Sequence, residues 1–238
     1  MTEIRNYKTP DDVAQAAAEN AVEILLSAIE SKGSASWVLA GGTSPMLAYK
    51  KLVKDFSDAL DWSKVTVLIG DERMVPLDHK DSNFGSIMAV FEKSAELSKV
   101  KRIVPLTTIN TLAAADDYAA KIAAEEFEEF DLVWLGVGED GHTLSLFPNN
   151  VGFTQLTDRW VIPVYDSPKP PSERISLSLT ALEYVDELVI FAVGASKQNA
   201  LKAARLKRLL PISIASDAVE GNGGEVRWLY DAAAWNDD

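Results

Sequence analysis

At 238 residues and 26.0 kDa the chain can bury a substantial core, and its 47% hydrophobic and 25% charged residues exclude a disordered segment. The absence of cysteine excludes disulfides, a thiol nucleophile and cysteine-ligated zinc. A net charge of -13 argues against a nucleic-acid partner, whose phosphates demand a basic face.

The opening residues Met1-Thr2-Glu3-Ile4-Arg5 carry no basic-then-apolar signal segment. No apolar run reaches the length of a membrane span, so no membrane partner is expected and cytoplasm is the expected location. No repeat, long linker or low-complexity tract divides the chain, which reads as one domain over residues 1–238.

The first predicted helix has Thr9 as N-cap, Pro10 at its first position and Asp12 three residues after the cap. Val22, Leu25, Leu26 and Ile29 recur at helical spacing, and Gly33 ends the run. Short apolar, β-branched runs then alternate with helical patterns. The strands are expected at 37–40, 65–69, 131–135, 160–164 and 188–193, and helices at 45–56, 82–95, 111–129 and 195–206. Residues 174–179 and 226–230 add two possible strands, the second leading into a short Ala-rich helix. Near-continuous apolar strands separated by helices imply an α/β fold with a largely parallel sheet covered on both faces. Ligands of such folds sit beyond the carboxyl ends of the strands.

Four of those ends carry chemistry. After the 37–40 strand come Gly41, Gly42, Thr43 and Ser44, then Pro45. The glycines admit close backbone approach, and the helix start offers free N–H groups to a phosphate. A plain strand-to-helix turn with a serine cap fits the same residues. It is not a Walker loop, because the spaced Gly-Lys-Ser/Thr is missing.

Asp71-Glu72-Arg73 follows the second strand. Arg73 can grip a phosphate, with the carboxylates positioning it or binding sugar hydroxyls, or the three form a surface ion-pair cluster. Asp81-Ser82-Asn83-Phe84 reads as a helix cap and turn. The third loop, Gly136 to His142, holds one of only two histidines in the chain. An imidazole moves protons near neutral pH, and Asp140 can orient it, so His142 and Asp140 are the catalytic candidates. His79, in a polar loop, reads as exposed.

Lys197 sits at a helix start after Gly194, where the dipole disfavours a cation unless an anion is held there. Arg174 is a further cation, either binding or structural. No His/Asp/Glu set shows metal-ligand spacing, and neither a nucleophile elbow nor a Ser-His-Asp pattern can be placed. Water activated by a base is the simplest hydrolytic route left.

Together these residues resemble the 6-phosphogluconolactonase family. The runs that carry the likeness are Leu39 to Pro45, Gly70 to Pro76, Asp81 to Phe84, Leu135 to Pro148, Arg174 to Leu179 and Gly194 to Lys197, in the expected order. The likeness spans roughly residues 35–235. It implies a three-layer α/β/α sandwich of modified Rossmann type and no metal or other cofactor. It implies a phosphorylated sugar lactone as the small-molecule partner, His142 as catalytic base, and Arg73 and Lys197 on the phosphate. One imidazole can deprotonate the attacking water and return the proton to the leaving ring oxygen.

Gly41, Gly42, Thr43, Ser44, Asp71 and Arg174 complete the expected binding set, in a monomer or weak homodimer. The related glucosamine-6-phosphate deaminases place Asn-Glu-Pro after the histidine motif, where this chain has Leu146-Phe147-Pro148, and Asp-Glu-Tyr where it has Asp71-Glu72-Arg73. Both departures favour the lactonase over the deaminase. A non-catalytic sugar-phosphate sensor on the same fold ranks third.

Overall fold

The computed structural model describes residues 2–148, 158–207 and 210–235. Its elements run β1 (Thr2–Tyr7), α1 (Pro10–Lys32), β2 (Ala35–Leu39), α2 (Thr43–Asp55), β3 (Val65–Ile69), β4 (Asp71–Arg73), α3 (Asn83–Phe91), β5 (Lys101–Arg102), α4 (Thr111–Ala123) and β6 (Phe130–Gly136). They continue through β7 (Val161–Val164), β8 (Arg174–Leu177), α5 (Leu179–Leu182), β9 (Val185–Ala192), α6 (Gln198–Lys207), α7 (Pro211–Gly221) and β10 (Glu225–Asp231).

The main sheet is parallel throughout, with strand order β1-β10-β9-β6-β2-β3-β5. Helices cover both of its faces, giving the expected three-layer α/β arrangement. β2 and β3 are buried at every position, which is why they read as unbroken apolar runs. α1 starts as anticipated: Thr9 and Asp12 cap each other's backbone N–H, and Gly33 closes the helix at φ 87.

An aromatic cluster fills the layer beneath the strand ends. Trp37 lies 4.8 Å from Trp134, Tyr49 stacks on Trp134 at 5.0 Å, and Phe191 meets Trp134 at 4.9 Å. Two buried tyrosines hold the ends of neighbouring strands. The Tyr49 hydroxyl accepts from Ala40 N at 2.9 Å and donates to Ala40 O at 3.1 Å. Tyr118 does the same for Ile69, at 2.7 and 3.1 Å. The loops that follow therefore start from fixed points.

The structure corrects several expectations. Asp71–Arg73 is a strand rather than a loop: β4 leaves the main sheet after Gly70 and forms a second, antiparallel sheet, β4-β8-β7. β7 also belongs there, at an edge, where Pro163 does not interrupt a central ladder. α4 stops at Ala123, ahead of the Glu125–Glu129 run, whose like charges at helical spacing repel and where Glu126 turns to φ 54. α3 stops at Phe91. The Ala-rich end is a turn, closed by Asp231 Oδ1 accepting from Ala234 N at 3.0 Å. β1 and α7 were not foreseen.

Candidate functional site

A cavity of about 230 Å³ opens at the carboxyl ends of β2, β3, β6 and β9, with the small sheet as its side wall. Its floor begins at Gly41 and Gly42. The Gly42 backbone, at φ 102 and ψ 170, lies in a region that only glycine enters without strain. Gly42 is the N-cap of α2, and no side chain caps that end. Ser44 thus lies inside the first turn and is not the cap. The first N–H groups of the helix, on Thr43 and Ser44, are left for something in the cavity.

His142 stands on the β6 loop. Asp140 Oδ1 lies 2.5 Å from His142 Nδ1 and also accepts the His142 backbone N–H at 3.3 Å. The Gly138 N–H donates to His142 O at 2.8 Å, which folds the loop back on itself. The other face of the ring is covered by Phe147, at 4.6 Å between centroids. Burial lowers the His142 pKa below the ordinary histidine value, and the Asp140 bond pulls the other way without prevailing. The ring is therefore neutral at pH 7. Burial raises Asp140, yet its bond to His142 outweighs this and leaves it below the usual carboxylate range. With Nδ1–H directed at a carboxylate, the lone pair is on Nε2.

The cations come from separate elements. Arg73 and Arg174 are directly paired across β4 and β8, like charges side by side. Arg73 Nη1 donates to Asp81 O at 2.7 Å, while its buried Nε has no partner. Arg174 is almost fully buried. Its Nη2 and Nε donate to Lys169 O and Pro171 O at 2.7 and 3.0 Å, and Asp71 Oδ2 lies 3.9 Å from Nη1. Asp71 Oδ2 also accepts from Ser145 Oγ at 2.6 Å, tying the two sheets to the histidine loop. Lys197 ends a single 3-10 turn after Gly194, and burial lowers its pKa.

The cavity thus brings together Gly41, Gly42, Thr43, Ser44, Asp71, Arg73, His142, Arg174 and Lys197. Asp140 is not in its lining and acts on it only through His142. His79 is exposed and lies outside it.

Asn83 and Lys169 are among the lining residues that were not singled out as site residues in the sequence. Asn83, at the start of α3 beyond the Ser82 cap, bonds Asp71 O through Nδ2 at 3.0 Å. Lys169 lies in the Pro-rich run before β8, a plain loop in the sequence, and nothing there signals that it reaches the site. Glu72, expected beside the ligand, is instead completely buried. It accepts from the N–H groups of Arg73, Asn83 and Phe84 and from Ser82 Oγ, at 2.7–2.9 Å. Its work is to hold the start of α3. Among the described residues no three His, Asp or Glu side chains are grouped to hold a metal ion, and no helix is long and apolar enough to cross a membrane.

Residues 8–228 match the sequence model of the glucosamine-6-phosphate isomerases/6-phosphogluconolactonase family. The chain belongs to this family. Among its relatives, a 6-phosphogluconolactonase of Streptomyces coelicolor is 34% identical, over 96% of this chain and 91% of that one. A probable 6-phosphogluconolactonase 1 of Arabidopsis thaliana is 31% identical, over 98% and 92%. The solved 6-phosphogluconolactonase of Thermotoga maritima superposes with a TM-score of 0.82 at 25% identity, covering 97% of this chain and all of that one. The family match thus runs from just before α1 into β10, across both sheets.

Proposed function

We propose that the chain hydrolyses 6-phospho-D-glucono-1,5-lactone to 6-phosphogluconate, a step of the oxidative pentose phosphate pathway, without a metal cofactor. The observation that carries this reading is a neutral, carboxylate-oriented His142 in one cavity with an uncapped helix start and four cations, Arg73, Lys169, Arg174 and Lys197. Those are the two things a phosphorylated lactone demands: a base at one end and an anion site at the other. The 6-phosphogluconolactonase names of the relatives point the same way.

In this mechanism Nε2 of His142 takes a proton from a water as its oxygen attacks the lactone carbonyl. The tetrahedral intermediate collapses by breaking the bond to the ring oxygen, which receives that proton from the imidazolium. Asp140 keeps Nδ1 protonated and steadies the transient charge. Arg73, Lys197 and the N–H groups of Thr43 and Ser44 hold the phosphate, with Arg174 and Asp71 setting the side wall.

The test is the hydrolysis rate of the phosphorylated lactone, corrected for spontaneous opening, for wild type and His142→Ala. Loss of a general base costs ~10²–10⁴-fold. A folded variant within a few-fold of wild type removes His142 from the mechanism. The wild-type rate survives exhaustive chelation if no metal takes part.

A further inference from the structure

Hydrolysis of a lactone places a negative charge on its carbonyl oxygen as water adds, and that charge needs a donor. The donors around His142 are largely spent. Val137 N–H donates to Phe191 O at 3.2 Å, Gly138 N–H to His142 O at 2.8 Å, and Asn83 Nδ2 to Asp71 O at 3.0 Å. Arg174 is committed to two backbone carbonyls, and the phosphate takes Arg73 and Lys197. We propose that Lys169 is a further catalytic residue, whose ammonium supports the oxyanion that forms at C1. The role rests on the lactonase reading of the same cavity.

Lys169 lies in the loop between β7 and β8, and its backbone is fixed. Its carbonyl accepts from Arg174 Nη2 at 2.7 Å and from Ser167 Oγ at 2.9 Å, and its N–H donates to Ser167 Oγ at 3.3 Å. Ser167 and Arg174 are both buried. From this anchored main chain the side chain reaches the cavity that His142 lines. Among the described residues Nζ forms no ion pair or hydrogen bond, although Asp71 and Glu139 line the same cavity. Its three donors are free for a ligand.

The charges that weigh most on His142 are Asp140 on its own loop, then Lys169, then Asp71 on β4. Lys169 is thus the foremost cation acting on the base. The phosphate end already holds Arg73, Lys197 and the helix start, which leaves Lys169 for the carbonyl end. As the water oxygen bonds to C1, its proton passes to Nε2 and the carbonyl π pair moves onto oxygen, where Lys169 donates to it. The pair returns as the bond to the ring oxygen breaks, and that oxygen takes the proton from the imidazolium. Lys169 keeps its own proton throughout and then faces the product carboxylate.

The experiment compares wild type, Lys169→Gln and Lys169→Arg on phosphorylated and plain gluconolactone, each rate corrected for spontaneous opening. Lys169→Gln is expected to lower kcat on the phosphorylated lactone by about 10–10²-fold, less than an enclosed oxyanion donor because Lys169 is exposed. On the plain lactone kcat/KM falls by a similar factor. The acid limb of kcat/KM moves to higher pH, since a cation that lowers the His142 pKa is gone. Lys169→Arg keeps the limb in place and recovers part of the rate. The thermal midpoint holds in both variants. A kcat for Lys169→Gln within about twofold of wild type, with an unmoved limb, overturns the role and leaves the lactonase reading standing. A loss confined to the phosphorylated lactone moves Lys169 to the phosphate and overturns the role as well. A wild type that opens neither lactone sinks the lactonase reading, and the role with it.

Discussion

The ring of Phe147 lies against the imidazole of His142, 4.6 Å between centroids and 28° from parallel. Phe147 is 1% exposed, and the Arg174 guanidinium stands 5.6 Å from its ring centroid. An apolar ring here leaves Asp140 as the carboxylate bonded to the histidine and helps keep the imidazole neutral. In the related deaminases, from whose pattern this sequence departs here, a glutamate is expected at the position. Glucosamine 6-phosphate is therefore expected to release no ammonia at a rate near that of lactone hydrolysis. Comparable turnover of the two substrates would reverse the assignment within the family.

The pH profile follows from the sign of the His142 shift. A base works when deprotonated, and burial sets its pKa below the ordinary 6.5. The acid limb of kcat/KM is thus expected below ~6.5, with activity held down to that pH and lost beneath it. Asp140 pulls the imidazole pKa upward, so Asp140→Asn moves the limb further to acid and lowers the plateau by roughly 10–10²-fold. A limb that stays in place would show that the pair does not titrate in catalysis.

Gly138→Ala gives a sharper probe. A Cβ there would come within 1.9 Å of His142 Nδ1 and 2.6 Å of Asp140 Oδ1. The methyl group displaces the His142–Asp140 pair without entering the core. Activity is expected to fall on the order of 10²-fold, while the thermal midpoint changes little. Near-normal kcat with a lowered midpoint would place the damage in the fold.

The cations divide by substrate. Each hydrogen bond to a charged group contributes about 1.5–3 kcal/mol, so Arg73→Ala or Lys197→Ala is expected to cost roughly 10–200-fold in kcat/KM. If both grip one phosphate, the double change costs less than the product of the singles. Gluconolactone without a phosphate should be a poor substrate and nearly insensitive to either change. Equal losses on both lactones would move the phosphate site elsewhere.

Glu72→Ala tests the support beneath the site. It strands the N–H groups of Arg73, Asn83 and Phe84 and the Ser82 hydroxyl in a buried setting. A loss of roughly 2–4 kcal/mol in unfolding free energy is expected, read from the urea midpoint. A change below half a unit on that scale would mean that water replaces the carboxylate.

What the sequence disclosed, and what it hid, follows physical lines. β2, β3, β6 and β9 lie inside the sheet, and their apolar runs announced them. β1 did not, because Glu3 and Arg5 sit on an exposed edge strand whose partner β10 lies at the far end of the chain. β4 was hidden by its composition, since Asp71, Glu72 and Arg73 look like a surface loop until the second sheet pairs them and buries the first two. The glycine-rich loops pointed to the cavity because a backbone that must approach a ligand leaves a mark in residue type. Lys169 left none, as nothing local distinguishes it from any lysine in a Pro-rich loop.

The aromatic cluster has a consequence for spectroscopy. Trp37, Trp62 and Trp134 are fully enclosed, and no tryptophan lines the cavity around His142. The share of the intrinsic emission that comes from these three indoles reports the integrity of the sheet and its helices, with a red shift on unfolding as they meet water, beside the partly buried Trp160 and Trp235. A ligand in the cavity would meet these three indoles only through intervening side chains such as Phe191, which lines the cavity and packs on Trp134. The same fluorophores thus provide a readout of stability, whereas ligand titrations call for a label placed on one of the loops.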